Sequence, residues 1–339
     1  MVNNKRRALV RALGTAGAGS LLGWPWTSAL AEPPPETTRI RIGKVPSVCL
    51  APQYVAAELL HGEGFVDVQY IGDGDLGSGG VPGARALGEG HADVGVNFAA
   101  PLVVALDSGS PIVLLGGVHV GCFELIASNS IRKITDLKDK RVAVLAQGSA
   151  PHIFLASIAT SVGLDPNRDI RWDNRPVAEA KQMLAEGRID AFLGFPPDTQ
   201  EMRAKGVGHV ILNSAIDRPW SQYFCCLVSA NRDFAQRHPI ATKRVMRAIL
   251  KASELCASDA ERATKAFLAQ GFPSNPEYVR QAVRELPFGK WREYNAEESV
   301  RFYALRLREA GMVKSSPQKL IAQGTDWRVL DELRKEMKV

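Results

Sequence analysis

The chain has 339 residues, which is long enough for two globular domains with separate hydrophobic cores. Hydrophobic residues make up 45% and charged residues 23% of it, a composition typical of a globular protein. The formal net charge is +6, but four of the 42 basic residues lie in residues 1–31, so the rest carries 38 basic and 36 acidic residues. Because no block of Lys and Arg follows residue 31, nucleic acid is not expected as a partner.

Residues 1–31 have the pattern of a cleavable export signal. A basic start precedes the mildly apolar stretch Ala12–Leu22, and Ala29-Leu30-Ala31 has the small-residue spacing at which signal peptides are cut. Arg6-Arg7 is typical of the twin-arginine route. The apolar stretch is too short to span a bilayer. We therefore expect a periplasmic protein, exported through a cleavable and twin-arginine-like signal peptide.

The first strand and the loop after it form the first candidate ligand-binding segment. A Pro-rich linker, residues 32–38, leads into Arg39–Val45, where polar and apolar residues alternate as in a strand. A helix is predicted from Gln53 to His61. The loop between them would lie at the carboxyl end of the strand with a helix N-terminus behind it, an arrangement that suits ligand binding.

The glycine-rich segment Gly72–Gly77 matches the GxGxxG pattern of dinucleotide-binding proteins. However, Ser78-Gly79-Gly80 and Pro82 delay the helix that should follow, and no acid closes a second strand about 20 residues later. The segment also fails as a calcium loop, because Ala84 stands where that loop requires Glu. Neither a nucleotide nor a calcium ion is predicted here.

Two stretches, Leu87–Pro101 and Leu184–Pro197, share one pattern. Both read Leu-x-Glu-Gly-x-x-Asp, followed by a short apolar run and then by Phe and Pro. Gly90 and Gly187 suit the left-handed backbone at the end of a helix, and the apolar run suits a parallel strand buried on both faces. Chance repetition of a common pattern is the alternative. Two copies predict two α/β lobes, each offering the loop after its strand to a shared cleft.

Elsewhere in the first two thirds of the chain, strands and helices alternate. Val118–Ser128 is predicted to cross from one lobe to the other, and Arg218–Val228 to return. Between them, Asp136-Leu137-Lys138 precedes a strand, and Gly148-Ser149 opens a helix. From Phe234 onward the apolar spacing is helical throughout. The pattern favours two lobes followed by a helical extension.

The cysteines are predicted to be small buried hydrophobic residues, because their neighbours are apolar. Their odd number leaves at least one of them unpaired, and without a CxxC spacing no metal site is predicted. Two adjacent cysteines in a strand should point to opposite faces, which prevents a bond between them. The five are Cys49, Cys122, Cys225, Cys226 and Cys256.

The export signal, the first-strand loop, Asp136-Leu137-Lys138 before a strand and a Gly-Ser loop, and the repeated Glu-Gly-x-x-Asp together carry a family likeness. Over residues 39–310 the chain resembles the periplasmic solute-binding proteins of ABC importers of the nitrate, sulfonate and taurine type, including thiamine-pyrimidine-synthesis-like members. The resemblance implies a type II periplasmic-binding fold, in which two α/β lobes are joined by two hinge strands and followed by C-terminal helices. Lobe 1 is expected to comprise residues 39–124 and 229–339, and lobe 2 residues 125–228.

The resemblance also implies a function without catalysis or a cofactor. A monomer would capture a small-molecule solute, such as a sulfonate, a pyrimidine-like or an aromatic compound, between its lobes. It would deliver this solute to an ABC permease and ATPase complex at the inner membrane. Closure of the lobes would be a hinge motion driven by contacts made only in the closed state.

The same resemblance implies which residues line the cleft. The set combines aromatic faces with hydrogen-bonding groups and contains no Arg or Lys, so it suits an organic molecule better than a bare inorganic anion. Each aromatic residue could instead belong to the hydrophobic core. Trp220 is the strongest candidate for the cleft, because polar residues surround it in the sequence. The expected ligand-binding residues are Ser47, Cys49, Gln53, Asn97, Phe98, Cys122, Phe123, Glu124, Gly148, Ser149, His152, Phe195, Asp198, Trp220 and Tyr223.

The main alternative is an enzyme on the same fold. Pyrimidine-forming relatives in fungi have a Cys-rich motif, which Phe224-Cys225-Cys226 resembles only in part. Cys49 or Cys122 could form a Cys–His pair with His119 or His152, although no nucleophile motif supports it. An effector domain of a transcription factor would need DNA-binding helices in place of the signal and linker. No catalytic residue is predicted.

Overall fold

Ten strands make up the sheets in the described part of the chain, residues 32–337 without the side chains of Leu76 and Ser78. The signal predicted for residues 1–31 lies outside it. In this computed structural model, strands β1–β5 are Arg39–Gly43, Asp67–Ile71, Val94–Phe98, Ile112–Val120 and Glu124–Ala127. Strands β6–β10 are Lys140–Val144, Ile170–Asn174, Ala191–Gly194, His209–Asn213 and Phe224–Asn231.

The helices surround these strands and continue beyond them. Helices α1–α6 are Ala51–Gly62, Val81–Gly88, Ala99–Asp107, Ala150–Ser161, Val177–Ala185 and Asp198–Ala204. Helices α7–α13 are Arg232–Arg237, Pro239–Ser258, Ala260–Leu268, Pro276–Glu285, Ala296–Glu309, Pro317–Gly324 and Arg328–Glu336. Short 3₁₀ turns lie at Val48–Leu50, Gly74–Ser78, Ile134–Leu137, Trp220–Gln222 and Phe288–Lys290. Within the described residues, no helix has both the length and the apolar character that a membrane crossing requires.

The strands form two five-stranded sheets built on one plan. The first has the order β2-β1-β3-β10-β4, and the second has the order β7-β6-β8-β5-β9. In each, four strands run in the same direction and one runs antiparallel to them: β10 in the first sheet and β5 in the second. The chain passes between the sheets twice, from β4 to β5 and from β9 to β10. The predicted fold class, two α/β lobes with two connections and C-terminal helices, is confirmed.

The second connection returns to the first sheet early. Strand β10 begins at Phe224 and pairs with β3 and β4. Residues 224–228, which the sequence prediction counted with lobe 2, therefore lie in the first sheet by strand pairing. The lobe boundaries proposed from the resemblance stay predictions.

The repeated pattern has the same structure in both copies. Gly90 and Gly187 have φ angles of +84° and +71°, the left-handed backbone expected after the preceding helix. Strands β3 and β8 follow, and every residue in them is buried. After β3, α3 begins at Ala99, with the extended Phe98 as its N-cap.

Candidate functional site

Loops from the two lobes meet in an interlobe junction defined by Val48, Val81, Gly148 and Pro196. The amide of Val48 donates a hydrogen bond to the Pro196 carbonyl, and the amide of Val81 donates one to the Gly148 carbonyl, both at 3.3 Å. The loops of Val48, Gly148 and Pro196 follow β1, β6 and β8. Ligands of α/β sheets bind outside such carboxyl ends. Of the four residues, only Pro196 lies in the repeated pattern, which predicted a cleft between the loops after β3 and β8.

Gly80 allows the junction to close. A Cβ atom at this position would lie 2.8 Å from the Gly148 carbonyl oxygen and 3.2 Å from Ser149 Cα. The shorter of these distances would force backbone atoms to shift, so a side chain at this position would hinder the approach of the two loops. Gly80, which follows the glycine-rich segment Gly72–Gly77, therefore allows close backbone approach between the lobes, a role that the GxGxxG comparison did not predict.

A row of aromatic rings runs through the region behind the junction. Phe98 at the end of β3 lies with its ring centroid 5.4 Å from that of Phe195 and 5.2 Å from that of Phe123. Phe123 in turn stacks on Phe154 of α4 at 4.6 Å. This aromatic row, Phe195-Phe98-Phe123-Phe154, draws on both sheets and on the first connection between them.

Trp220 continues the row on its far side. Its ring meets Phe154 and Phe302 edge to face, with centroids 5.2 Å away in each case. Tyr223 stacks flat on Phe302 at 3.9 Å. Trp220 is only 5% exposed despite its polar sequence neighbours. Its contact with a ligand stays a prediction. Sequence analysis did not identify Phe154 or Phe302, which lie mid-helix on faces whose apolar spacing indicated only core.

Ser47 is the polar side chain best placed to bind a ligand. It precedes the 3₁₀ turn that leads into α1, is wholly buried, and its Oγ makes no hydrogen bond within the described residues. A buried hydroxyl without a partner is costly unless something else bonds to it. By contrast, Ser149 donates its hydroxyl to the Ala146 carbonyl at 2.6 Å.

Gln53 has a structural role that the sequence did not indicate. Its side-chain amide donates to the Gly43 carbonyl at 3.0 Å, and its Oε1 accepts from the Val96 amide at 2.9 Å. The side chain thus fastens β1 to β3 below the junction. Both ends of the amide are in use, as is Oδ1 of Asn97, which accepts from the Phe98 amide at 2.8 Å.

His152 is held as a neutral ring beside the junction. Its Nδ1 accepts a hydrogen bond from the Gly148 amide at 3.2 Å, so this nitrogen carries no proton. Burial lowers the pKa of His152 and favours the same neutral state. The ring also contacts Trp172 edge to face at 4.7 Å.

The two acidic candidates are occupied by basic partners. Glu124 Oε2 lies 3.2 Å from Arg203 Nε, an ion pair without the alignment of a hydrogen bond. Burial raises the pKa of Glu124, although the charge of Arg203 opposes it. Asp198 accepts a hydrogen bond from Lys181 at 2.7 Å, and burial raises its pKa too. Sequence analysis found neither basic partner, because each is remote along the chain.

The cysteine candidates converge with His119 instead of lining an open surface. Cys122 Sγ lies 3.3 Å from Cys226 Sγ, and His119 Nε2 donates to the Cys49 carbonyl at 2.8 Å. Burial raises the pKa of Cys49 to about 12, so its thiol stays protonated. Cys49 and His119 therefore do not form a nucleophilic pair in this geometry.

One expectation for these cysteines is wrong. Cys225 and Cys226 were expected on opposite faces of β10, but both sulfur atoms lie within 4.8 Å of Cys122 Sγ. The reason is an irregularity in the pairing with β4, where Phe224 pairs with Val120 and Cys226 with His119. The extra residue, Cys225, is a β-bulge, which breaks the alternation of a regular strand.

Known proteins resemble this chain in sequence and in fold. The bicarbonate-binding protein CmpA of Synechococcus elongatus is 26% identical over 125 residues, covering 36% of this chain and 27% of that protein. The chain thus matches about a quarter of the length of this relative. The solved nitrate-binding protein NrtA of Synechocystis PCC 6803 has a TM-score of 0.74 at 15% identity, covering 91% of both chains.

A second solved structure has the same fold. The alkanesulfonate-binding protein SsuA of Xanthomonas axonopodis pv. citri, bound to MOPS, gives a TM-score of 0.67 at 20% identity over 86% of this chain and 99% of that chain. At these identities the likeness establishes the periplasmic-binding fold. A family model, described as the NMT1-like family, matches residues 33–270, which is more than half of the chain. The protein belongs to the NMT1-like family.

Proposed function

We propose that this protein is the extracytoplasmic solute-binding component of an ABC importer. It captures a small organic solute between its lobes and delivers it to a permease and ATPase complex at the inner membrane. The observation that carries the proposal is the interlobe junction, where two hydrogen bonds join loops of different lobes. Related proteins of this fold bind bicarbonate, nitrate and alkanesulfonate, as their names state.

The chemistry of the junction favours an aromatic or pyrimidine-like solute with one hydrogen-bonding group. The aromatic row makes the region apolar and includes the partly exposed ring of Phe195, and Ser47 offers a buried hydroxyl without a protein partner in the described chain. The carboxylates of Glu124 and Asp198 are paired with Arg203 and Lys181. A neutral ring therefore fits this environment better than a small inorganic anion.

Export through the signal of residues 1–31 places the protein in the periplasm, where it acts as a monomer without a cofactor. The rival function, an enzyme on the same fold, has less support, because the geometry of Cys49 and His119 provides no activated thiol.

Thermal unfolding with a panel of solutes tests the proposal. The panel holds pyrimidines, aromatic acids, alkanesulfonates, nitrate and bicarbonate. A bound solute at 1,000 times its dissociation constant adds about 4 kcal/mol to the free energy of unfolding, a shift of several degrees. Mass spectrometry then checks that the solute is recovered unaltered. Conversion of the solute to a product would contradict the proposal that this is a binding protein.

A further inference from the structure

Buried sulfur atoms converge where the first connection between the lobes meets the start of β10. Cys122 lies between β4 and β5, and Cys225 and Cys226 lie at the start of β10. The sulfur atoms of these three residues are all within 4.8 Å of one another, and Cys122 Sγ and Cys226 Sγ are 3.3 Å apart. All three side chains are buried. This three-sulfur cluster, Cys122-Cys225-Cys226, joins the first connection to the start of β10.

The β-bulge in β10 makes the cluster possible. A regular strand would turn one of two adjacent side chains away, whereas the irregular pairing of β10 with β4 brings both sulfur atoms to the same side. Bulges often re-aim a side chain next to a functional site. The cluster is therefore a consequence of local backbone geometry, which the spacing of the cysteines along the chain does not reveal.

The neighbouring imidazole is engaged elsewhere. His119 Nδ1 lies 3.0 Å from the Val120 carbonyl, and Nε2 lies 2.8 Å from the Cys49 carbonyl and 3.9 Å from Cys122 Sγ. Both ring nitrogens thus have a carbonyl partner closer than the sulfur. Cys49 forms a second close group with His119 and Cys122, so Cys122 is the sulfur shared by both groups.

We propose that Cys122, Cys225 and Cys226 form a binding site for a single soft cation, Cu(I). Thiolates select Cu(I) over hard cations, and structural zinc is normally held by four ligands, one more than this cluster supplies. Each coordinating thiol releases its proton to solvent when the ion binds, and no change of oxidation state is involved. A bound ion would fasten the first connection to β10 and stabilise the protein against unfolding.

Anaerobic titration of the fully reduced, purified protein with Cu(I) tests this site. A chromophoric Cu(I) chelator of known affinity competes with the protein, and the mixture equilibrates until its absorbance is constant. We expect one Cu(I) per chain, with sulfur as the nearest neighbour in X-ray absorption at the copper edge. Cys122→Ser and Cys226→Ser should each lower the affinity for Cu(I) by more than about 100-fold. Loss of a residue that only hydrogen-bonds to a metal ligand costs about 10- to 100-fold, so a larger loss indicates a direct ligand.

Cys256→Ser is the matched control, because Cys256 is a buried cysteine of α8 outside both close groups. It should bind Cu(I) as the unsubstituted protein does. The thermal midpoint without metal identifies the variants that fold, and Cu(I) should raise the midpoint of the wild type and of Cys256→Ser only. If Cys122→Ser does not fold, Cys122→Ala replaces it in the titration.

Three results would overturn the proposal. The reduced protein could fail to compete with the chelator, the copper could have nitrogen or oxygen neighbours only, or Cys122→Ser could bind as tightly as Cys256→Ser. If a Cys122–Cys226 disulfide forms and the protein still fails to compete for Cu(I) after that disulfide has been reduced, the first of these results applies. None of the readouts depends on a solute, so they are independent of the proposed function.

Discussion

Asp93 and Asp190 do the same structural work in the two lobes. The Asp93 carboxylate accepts a hydrogen bond from the backbone amide of Arg41, and the Asp190 carboxylate accepts one from that of Arg141, both at 2.8 Å. Each Asp also donates its own amide to the carbonyl of the same arginine, again at 2.8 Å. The repeated Asp therefore fixes the neighbouring strand, β1 or β6, at the point where β3 or β8 begins.

The two positions differ in how much stability they should contribute. Asp93 is 7% exposed, and it also pairs with the guanidinium of Arg41 at 2.6 Å. Asp93→Ala leaves a buried amide and a half-buried guanidinium without their partner, so we expect a loss of about 2–3 kcal/mol. Asp190→Ala loses only the backbone bond and should cost about 1 kcal/mol. Urea unfolding measures both.

The exposed Asp73 supplies the control for this pair. Asp73→Ala should change the free energy of unfolding by less than about 0.5 kcal/mol, as at ordinary surface positions. Equal losses for Asp93→Ala and Asp190→Ala would contradict the role assigned to the Arg41 guanidinium.

The fold could be predicted from sequence because its main signal is local. Gly90 and Gly187 follow helices, and the apolar runs after Asp93 and Asp190 form strands. In these segments the backbone preference of each residue and its burial favour the same local structure. The same pattern predicted that the ends of β3 and β8 approach each other, as the rings of Phe98 and Phe195 do, with centroids 5.4 Å apart.

The details of the site depend on pairing between distant segments. The bulge that gathers Cys225 and Cys226 arises from register against β4, which no local pattern records. Gln53 binds backbone atoms of two strands, and Arg203 meets Glu124 only after the lobes form. Such contacts join residues far apart along the chain, and a single sequence does not specify which partners meet.

Gly80→Ala should weaken solute binding by hindering closure. The backbone of Gly80 has a φ angle of −108°, which alanine adopts freely, so the effect comes from the contact of the new Cβ with the Gly148 carbonyl. Overpacking of this kind costs about 1–3 kcal/mol, so the solute found in the thermal panel should bind about 5- to 150-fold more weakly. Isothermal titration calorimetry measures the affinity.

Gly62→Ala is the control for Gly80, because nothing lies within 4 Å of a Cβ added there. It should leave the affinity unchanged. If Gly80→Ala binds the solute as tightly as Gly62→Ala does, the junction does not close around the solute in the way we propose.

Ser47→Ala should separate ligand binding from stability. The Ser47 hydroxyl is buried without a partner in the described chain, so its removal should leave the free energy of unfolding unchanged or raise it by up to about 1 kcal/mol. Solute affinity should fall by about tenfold, the equivalent of one hydrogen bond. Urea unfolding and calorimetry are measured on the same preparation.

Ser157→Ala provides the opposite pattern as a control. The buried Ser157 donates its hydroxyl to the Phe154 carbonyl at 2.7 Å, so its loss should cost about 1 kcal/mol of stability and leave solute affinity unchanged. Destabilisation by Ser47→Ala without loss of affinity would show that Ser47 acts in folding alone.

Glu285→Gln should weaken the contact between α10 and α6 in a pH-dependent manner. Glu285 accepts a hydrogen bond from Gln200 at 2.9 Å and pairs with Arg203. Burial raises the pKa of Glu285, but the hydrogen bonds from Gln200, Gln281 and Arg203 outweigh it, and the pKa lies below its ordinary value. An acid with a lowered pKa stabilises the folded state above its unfolded pKa, and this contribution is lost as the pH falls through the folded pKa.

The stability difference between wild type and Glu285→Gln should therefore be constant near neutral pH and shrink below about pH 4.3, the ordinary value for Glu. Because Glu285 is more than a third exposed, with a side-chain exposure of 37%, the plateau should be under about 1 kcal/mol. Urea unfolding from pH 3 to 8 checks this, with Glu89→Gln at an exposed site as the control. A difference that grows as the pH falls would contradict the lowered pKa, and an absent difference at every pH would remove Glu285 from the contact between α10 and α6.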